Sequence, residues 1–216
     1  MYTPPLFIED DPSALLAFMR EYNFAVLVTT ENDRPEATHL PFIIEERGDK
    51  FILLAHMAKA NPQWRQFSEK PVLVIFSEPH AYVSPLLYKE KQNVPTWNYV
   101  AVHAYGKVKA FEQEENLTLL EKQIQAFDPE YFNGNWPEID GDYKTNLAKG
   151  IVAFEIEITD LQGKKKLNQN KPGEDAHRVI EAFEKGGAGE QEIARYMKEV
   201  HGEAGERGDA GQNRER

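Results

Sequence analysis

Histidines are the first side chains to examine for chemistry, because an imidazole can bind a metal or transfer a proton. Four lie in the central part of the chain, at His39, His56, His80 and His103. No two have the spacing that places two imidazoles on one helical face, as a zinc site requires. Ordinary hydrogen-bonded histidines at strand ends are therefore the simpler interpretation of the residues alone. Ser84 also lacks the Gly-x-Ser-x-Gly setting of a nucleophile, so no catalytic residue and no metal ligand is predicted.

A phosphate-binding segment is a second hypothesis. Residues 56–62, His-Met-Ala-Lys-Ala-Asn-Pro, pass from a predicted strand end into a short helix over 62–67 that Asn61 caps. Backbone amides at that helix start, together with Lys59 and Arg65, could neutralise a phosphomonoester. The sequence has no Gly-x-Gly-x-x-Gly or Walker A segment, so a glycine-rich phosphate loop is not expected. A plain strand-to-helix junction with a surface lysine remains the alternative.

Aromatic residues are concentrated at 94–99, Val-Pro-Thr-Trp-Asn-Tyr. On a strand, Trp97 and Tyr99 would share one face and Asn98 would lie on the other. Two aromatic rings could wall a flat heterocycle while a neighbouring amide reads its edge. An aromatic cluster at the end of a barrel is the alternative interpretation.

Three consecutive lysines, 164–166, interrupt an acidic pattern and precede Leu-Asn-Gln-Asn. The three cannot all be buried, so a solvated loop is the simplest interpretation. The amide-rich continuation leaves a role in anion or nucleic-acid binding open.

The elements that must position these residues are predicted to be mainly strands. Runs of β-branched or alternating residues indicate strands at 24–30, 35–44, 51–56, 71–76, 97–111 and 151–159. Gly106 predicts a bulge or a close backbone approach. Helices are predicted at about 12–22, 114–127, 176–185 and 190–200, the second burying Leu117, Leu120 and Ile124. About six strands in hairpin-like succession predict a mainly β (α+β) fold, an antiparallel barrel with peripheral helices.

Length and composition set further bounds. We expect a barrel domain over 1–175, a helical appendage over 176–200 and a frayed tail over 201–216. Absence of cysteine excludes disulfides and thiolate metal sites. Mean hydropathy of −0.61 and a start without signal-peptide features predict a cytoplasmic protein with no membrane span. The net charge of −11 argues against direct reading of duplex DNA.

Five ordered motifs together resemble the PaiB family, FMN-binding-type negative transcriptional regulators. They lie at 37–41, 56–64, 81–85, 94–99 and 166–170, and the resemblance runs from Met1 to about Arg178. It implies a split β-barrel like that of the pyridoxamine-phosphate-oxidase-like flavoproteins. It also implies a homodimer with FMN in the cleft between subunits. The implied role is repression of sporulation and degradative-enzyme (protease) production together with a partner acetyltransferase.

The resemblance also implies cofactor-binding residues. They are Thr38, His39, His56, Lys59, Asn61, Trp97, Asn98, Tyr99, Lys166 and Gln169. Two positions depart from the family pattern, since Lys165 stands where an aromatic residue is more frequent and Asn168 where serine is. These departures weaken the assignment around residues 164–170.

Three functions therefore stay open. We expect a regulator that acts through a bound small molecule or a protein partner, because no helix-turn-helix signature accompanies the negative charge. A flavin-dependent oxidoreductase is the alternative, since FMN itself carries the redox chemistry. A structural dimer that has lost its cofactor is the third.

Overall fold

The computed structural model describes residues 1–67 and 70–209, with 203–209 described by their backbone alone. Its described residues form nine strands and six α-helices. The strands are β1 Ile8–Glu9, β2 Phe24–Glu31, β3 Arg34–Pro41, β4 Ile43–Arg47, β5 Lys50–Ala58, β6 Val72–Phe76, β7 His80–Val83, β8 Thr96–Ala110 and β9 Ile151–Lys166. The α-helices are α1 Pro12–Glu21, α2 Asn116–Phe127, α3 Pro129–Gly134, α4 Gly141–Lys149, α5 Gly173–Phe183 and α6 Ala188–Asp209.

The strands form one antiparallel sheet in the order β3-β2-β6-β8-β9-β5-β4, with β1 paired to β9 and β7 to β8. The path is not closed, because β3 and β4 form its two ends. The mainly β, antiparallel prediction is confirmed, with nine strands described instead of about six. The expected strand at 35–44 is two strands, because the chain leaves β3 at Phe42. That residue is fully buried, and its N–H donates to the carbonyl of Asn23 at 2.9 Å.

The chain divides into two compact units. The terminal unit comprises Met1–Asp11, Ser77–Ala101 and Gln162–Arg216, and the central unit comprises Pro12–Phe76 and Val102–Leu161. The sequence-based division at residues 175 and 200 stays a prediction. Helix α6 continues past His201, where a frayed tail was expected, as far as Asp209. Residues 210–216 of that tail lie outside the described residues.

Gly106 allows two strands of the central unit to approach closely. A Cβ atom at this position would lie 2.5 Å from the carbonyl oxygen of Glu157 and 2.5 Å from Cγ2 of Ile156. Both distances are far below van der Waals contact, so a side chain would force the strands apart. The predicted close approach at Gly106 is confirmed.

Helix α2 packs in the central unit with a face different from the predicted one. Leu119 is buried together with two amides, Asn116 and Gln123. The predicted stripe is only half-buried, at Leu117, Leu120 and Ile124. The predicted packing face was wrong because the side chains of Asn116 and Gln123 turn inward, where they donate hydrogen bonds to backbone carbonyls of neighbouring segments. Hydrogen-bonding geometry therefore decides the rotation of this helix.

Two negative findings concern the described residues. Of the helices that the structure describes, none combines the length and apolar character that a bilayer span needs. Within the same residues, no group of three or more His, Cys, Asp or Glu side chains could hold a metal ion.

Candidate functional site

The junction after β5 is the first part of the candidate site, and it lies in the central unit. Asn61 caps a 3₁₀ helix at Pro62–Gln66, its Oδ1 accepting the N–H of Gln63 at 3.0 Å. The predicted helix start is confirmed, although the element is a five-residue 3₁₀ helix. So short a helix supplies little dipole for an anion. A ligand anion at this junction must therefore be held by side chains.

Lys59 and Arg65 are the two cations at this junction, and the guanidinium of Arg65 lies 5.5 Å from the centre of the Trp64 ring. The backbone N–H of Lys59 donates to the carbonyl of Gly150 at 2.8 Å, which fixes the main chain as it leaves β5. Its ammonium is exposed and donates to Oε1 of Gln113 at 3.3 Å. No carboxylate of the described residues forms an ion pair with it. The charge of Lys59 is therefore available to an anionic ligand.

A polar cleft of about 490 Å³ lies beside Asn61. Nδ2 of Asn61 donates to Oγ1 of Thr38 at 3.0 Å, which ties the capping residue to β3. Arg34 and Glu36 also line the cleft. The carboxylate of Glu36 accepts from Gln66, whereas Arg34 has no ion pair with any described residue.

Gln63 is the buried polar residue of this cleft. Its Nε2 lies within hydrogen-bond distance of three oxygens, from Leu27 (3.2 Å), Thr29 (3.1 Å) and Glu36 (3.1 Å). Its Oε1 is buried without a hydrogen-bond partner in the described part of the chain. Leaving a buried acceptor unpaired costs about 1–3 kcal/mol.

The two predicted histidines of the central unit have separate partners. His39 is exposed on β3, and its ring lies 6.2 Å from that of Phe24. His56, on β5, pairs through Nδ1 with Oε1 of Gln123 on α2. Among the predicted residues of this unit, Thr38 and Asn61 are thus in direct contact, whereas the histidines contact other residues.

The aromatic segment belongs to the terminal unit and alternates as predicted. Trp97 is 52% exposed, Asn98 is fully buried and Tyr99 is half-buried. The Trp97 ring lies 5.7 Å from Tyr82 and 5.8 Å from His80. Nδ2 of Asn98 contacts Sδ of Met197 at 3.3 Å. The aromatic face is therefore accessible, and the amide between its two rings belongs to the core.

The lysine run continues β9 and does not form the expected solvated loop. Lys164 is only 8% exposed, because its ammonium donates to the carbonyl of Tyr2 at 3.1 Å and lies 5.2 Å from the Tyr99 ring centre. Lys165 pairs with Glu9 at 2.7 Å. A carbonyl, an aromatic face and a carboxylate here replace water around the ammonium groups.

Lys166 ends β9 beside the aromatic segment. Its ammonium donates to Oγ1 of Thr96 and, at 2.9 Å, to the carbonyl of Trp97. Burial lowers the pKa of Lys166, and the nearby charge of Lys164 lowers it further. The neutral amine is therefore easier to form here than at a solvated lysine.

The turn after β9 uses its amides internally. Gln169 accepts the N–H of Leu167 at 2.7 Å and donates to the carbonyl of Lys165 at 2.6 Å. Asn168 has a φ of +64°, and its Nδ2 donates to the hydroxyl of Tyr88 at 3.3 Å. Asparagine tolerates this left-handed conformation better than serine does. Asn168 therefore suits the backbone conformation of this turn.

Sequence reasoning missed Arg34 and Gln63 as residues of the polar cleft. Gln63 was within the motif at 56–64, but an amide after a proline carries no signal of burial. Arg34 is the first residue of β3, directly after the turn from β2, where charged residues are ordinary. Only the pairing of β3 with β2 and the position of the 3₁₀ helix bring the two residues to one cleft.

Fold and site together define a mainly β protein with an open antiparallel sheet, a polar cleft beside Asn61 and an exposed lysine, Lys59, after β5. The chain belongs to the family described as "Putative FMN-binding domain", which matches residues 1–160. It is 38% identical over 186 residues to the "Protease synthase and sporulation protein PAI 2" of Bacillus subtilis (strain 168). That match covers 85% of this chain and 89% of the relative. The predicted membership of the PaiB family is confirmed.

Solved structures show the same fold at low sequence identity. The flavocytochrome Anf3 from Azotobacter vinelandii matches with a TM-score of 0.56 at 14% identity, over 74% of this chain and 69% of that one. The FAD and heme binding protein from Mycobacterium smegmatis matches with a TM-score of 0.54 at 15% identity, over 74% and 73%. Similarity at this level of identity concerns the fold alone.

Proposed function

We propose that the chain binds FMN and that Lys59 neutralises the phosphate of the cofactor. The observation that carries this proposal is the exposed Lys59 ammonium, which lacks a carboxylate partner among the described residues. A cation without an internal partner forms a charge-assisted hydrogen bond with an anion at no cost in a broken ion pair. Membership of an FMN-binding family supports the same conclusion.

The polar cleft beside Asn61 fits the rest of a flavin mononucleotide tail. Thr38 and Asn61 offer a hydroxyl and an amide, and Arg34 offers a second cation. When bound, FMN supplies electron and hydride transfer, while the protein supplies binding and orientation. The predicted residues of the terminal unit stay predictions and carry no part of this proposal.

Lys59→Ala tests the phosphate assignment. Loss of a charge-assisted hydrogen bond should weaken FMN binding by about 1.5–3 kcal/mol. The unfolding midpoint should stay unchanged, because the Lys59 side chain is exposed. Quenching of flavin fluorescence in a titration measures the affinity. Lys185→Ala, an exposed lysine of the terminal unit, should bind FMN like the wild type. Equal FMN affinity of Lys59→Ala and the wild type would contradict a contact between Lys59 and the phosphate.

We further propose that the chain is a negative regulator of transcription that controls sporulation and degradative-enzyme production. The similarity to the Bacillus subtilis protein, named for protease synthesis and sporulation, supports this role. Regulation would depend on a bound small molecule or a protein partner. The net charge of −11 supports this route over direct operator binding, because DNA affinity comes mainly from neutralised phosphates.

A gel-shift series tests the route of regulation. At about 150 mM salt the pure protein should give no sequence-selective shift of promoter fragments from sporulation and protease genes. A basic DNA-binding domain on the same fragments serves as the positive control. Tight, selective binding by the pure protein would contradict a mechanism that needs a partner or ligand.

We also propose that the chain forms a homodimer, as the family resemblance implies. Support comes from one face of the central unit, where apolar side chains of neighbouring strands are only half-buried. Val26 lies opposite Ile75, and Ile75 lies opposite His103. A second copy of this chain would cover such a face without bringing carboxylates together.

A further inference from the structure

A second cavity of the central unit lies beside the C-terminal half of α2. Its volume is about 340 Å³, within the range of small-molecule pockets. The walls are mainly apolar and come from Leu120, Ile124, Phe127 and Tyr131. Phe127 and Tyr131 are 44% and 36% exposed, so both rings present apolar surface to solvent. The cavity therefore offers accessible aromatic surface.

The hydrogen bonds of Gln123 determine which ring nitrogen of His56 carries the hydrogen. Nε2 of Gln123 lies 3.3 Å from the carbonyl oxygen of Pro41. A carbonyl can only accept, so the NH₂ group of the amide must face Pro41 and its Oε1 must face His56. The pairing of Oε1 with Nδ1 of His56 then requires the ring hydrogen on Nδ1. In the neutral imidazole, Nε2 is left as a bare acceptor.

His56 lines the cavity and is half-buried. Its Nε2 has no hydrogen-bond partner among the described residues. A ligand in the cavity therefore meets one fixed acceptor, and a donor on the ligand would satisfy it. A ligand without a donor would leave this nitrogen desolvated and unpaired, which lowers affinity.

The charge of the lining residues limits which ligands this cavity can bind. Asp128 also lines the cavity, where its carboxylate accepts the N–H of Tyr131 at 3.0 Å as the cap of α3. Neither lysine nor arginine is among the described residues that line it. An anionic ligand would face a carboxylate with no cation to compensate it. A ligand without negative charge meets no such penalty.

We propose that this cavity is a binding site for an uncharged aromatic alcohol of one or two rings. The ring system lies against Phe127 and Tyr131, and the hydroxyl donates to Nε2 of His56. The site does not depend on the FMN proposal, because none of its residues holds the phosphate.

Two probes of equal ring size test the proposal on the full-length wild type. 2-Naphthol carries a hydroxyl donor, whereas 2-methoxynaphthalene carries an oxygen that can only accept. Titrations followed by protein NMR should give about three- to tenfold tighter binding of 2-naphthol, the range for one net hydrogen bond. Equal affinities, or no saturable binding of 2-naphthol, would overturn the proposal.

The ring nitrogens of His56 give an independent readout. Long-range ¹⁵N–¹H spectra of the free protein should show the tautomer with hydrogen on Nδ1, and 2-naphthol should shift the Nε2 signal. A hydrogen on Nε2 would contradict the proposed hydrogen bond from Nδ1 of His56 to Oε1 of Gln123. His56→Phe should bind the two probes equally, and Phe127→Ala should weaken both. Gln125→Ala, an exposed position on the same helix, should bind them like the wild type.

Discussion

At the scale of single residues, Glu45 is the centre of an ion-pair group in the central unit. Its carboxylate pairs with Arg47 at 2.8 Å and with Lys122 on α2. Burial alone would raise the pKa of Glu45, but hydrogen bonds from Lys122 and Arg47 outweigh burial and lower it. Arg47 also pairs with Glu155 at 2.8 Å. One carboxylate thus connects β4 to α2.

Glu45→Gln should lower the free energy of unfolding by about 1 kcal/mol at pH 7, the upper range for partly exposed ion pairs. The folded-state pKa lies below the ordinary value of 4.5. The charge therefore stabilises the fold above that value, and this stabilisation is lost as pH falls through the folded-state pKa. Urea unfolding of the wild type and of Glu45→Gln at pH 7 and near pH 3 measures the difference in the free energy of unfolding at each pH. Glu114→Gln, at an exposed position, should change neither value. A deficit that persists undiminished at low pH would contradict the electrostatic origin.

The environment of a single residue could be predicted from the sequence where the interacting residues are adjacent in the chain. Asn61 caps its helix because the cap and Pro62 are adjacent in the chain. The burial of Lys164 could not be predicted, since its partners are Tyr2 and Tyr99, far away in sequence. The accessible ammonium of Lys59 was predicted, but its lack of a carboxylate partner depends on the whole surrounding surface.

At the scale of elements, Asn116 fixes the start of α2. It is 2% exposed. Its Nδ2 donates to the carbonyls of Ala148 at 3.1 Å and Ile151 at 2.9 Å, and its Oδ1 accepts the N–H of Ala153 at 3.1 Å. One amide therefore satisfies the backbone between α4 and β9. An apolar residue at this position would leave the Ile151 carbonyl and the Ala153 N–H without this partner.

Asn116→Ala should lower the free energy of unfolding by about 3 kcal/mol, because the Ile151 carbonyl and the Ala153 N–H lose this partner in a buried setting, whereas the Ala148 carbonyl keeps Nε2 of Gln113. Leu117→Ala, on the predicted but only half-buried stripe, should cost about 1 kcal/mol. Chemical denaturation followed by tryptophan fluorescence gives both values. Asn133→Ala, at an exposed position of α3, serves as the control. A larger loss for Leu117→Ala than for Asn116→Ala would restore the apolar stripe as the packing face.

Elements were predictable where their pattern was local. Alternation in 97–111 predicted the long strand β8, and Gly106 predicted the contact that only glycine allows. The face of α2 was not predictable, because apolar periodicity ignores the hydrogen bonds of Asn116 and Gln123. Helices α3 and α4 were missed, although Asp128 and Asp140 cap them. Their segments lack a continuous apolar stripe, so only the caps carried a signal.

At the scale of the whole molecule, the half-buried side chains of Val26, Ile75 and His103 on one face of the central unit support the proposed homodimer. Residues directly opposite one another in an antiparallel pair point to the same side of the sheet. His39, Val26, Ile75 and His103 are such partners across β3, β2, β6 and β8. Phe24, which lies two residues before Val26 on β2 and on the same side of the sheet, is 63% exposed. The row contains no carboxylate, which favours contact between copies of a chain with net charge −11.

Ile75→Glu should convert the proposed dimer into monomers, because each interface would then bury two carboxylates without partners. Sedimentation equilibrium should give twice the chain mass for the wild type and the chain mass for the variant. Tyr143→Glu places the same charge at a 57% exposed aromatic on α4 and should leave the dimer intact. Val26→Glu provides a second variant if Ile75→Glu loses its β-sheet circular dichroism. A wild type that sediments as a monomer, or a folded Ile75→Glu dimer, would rule out this face as the interface.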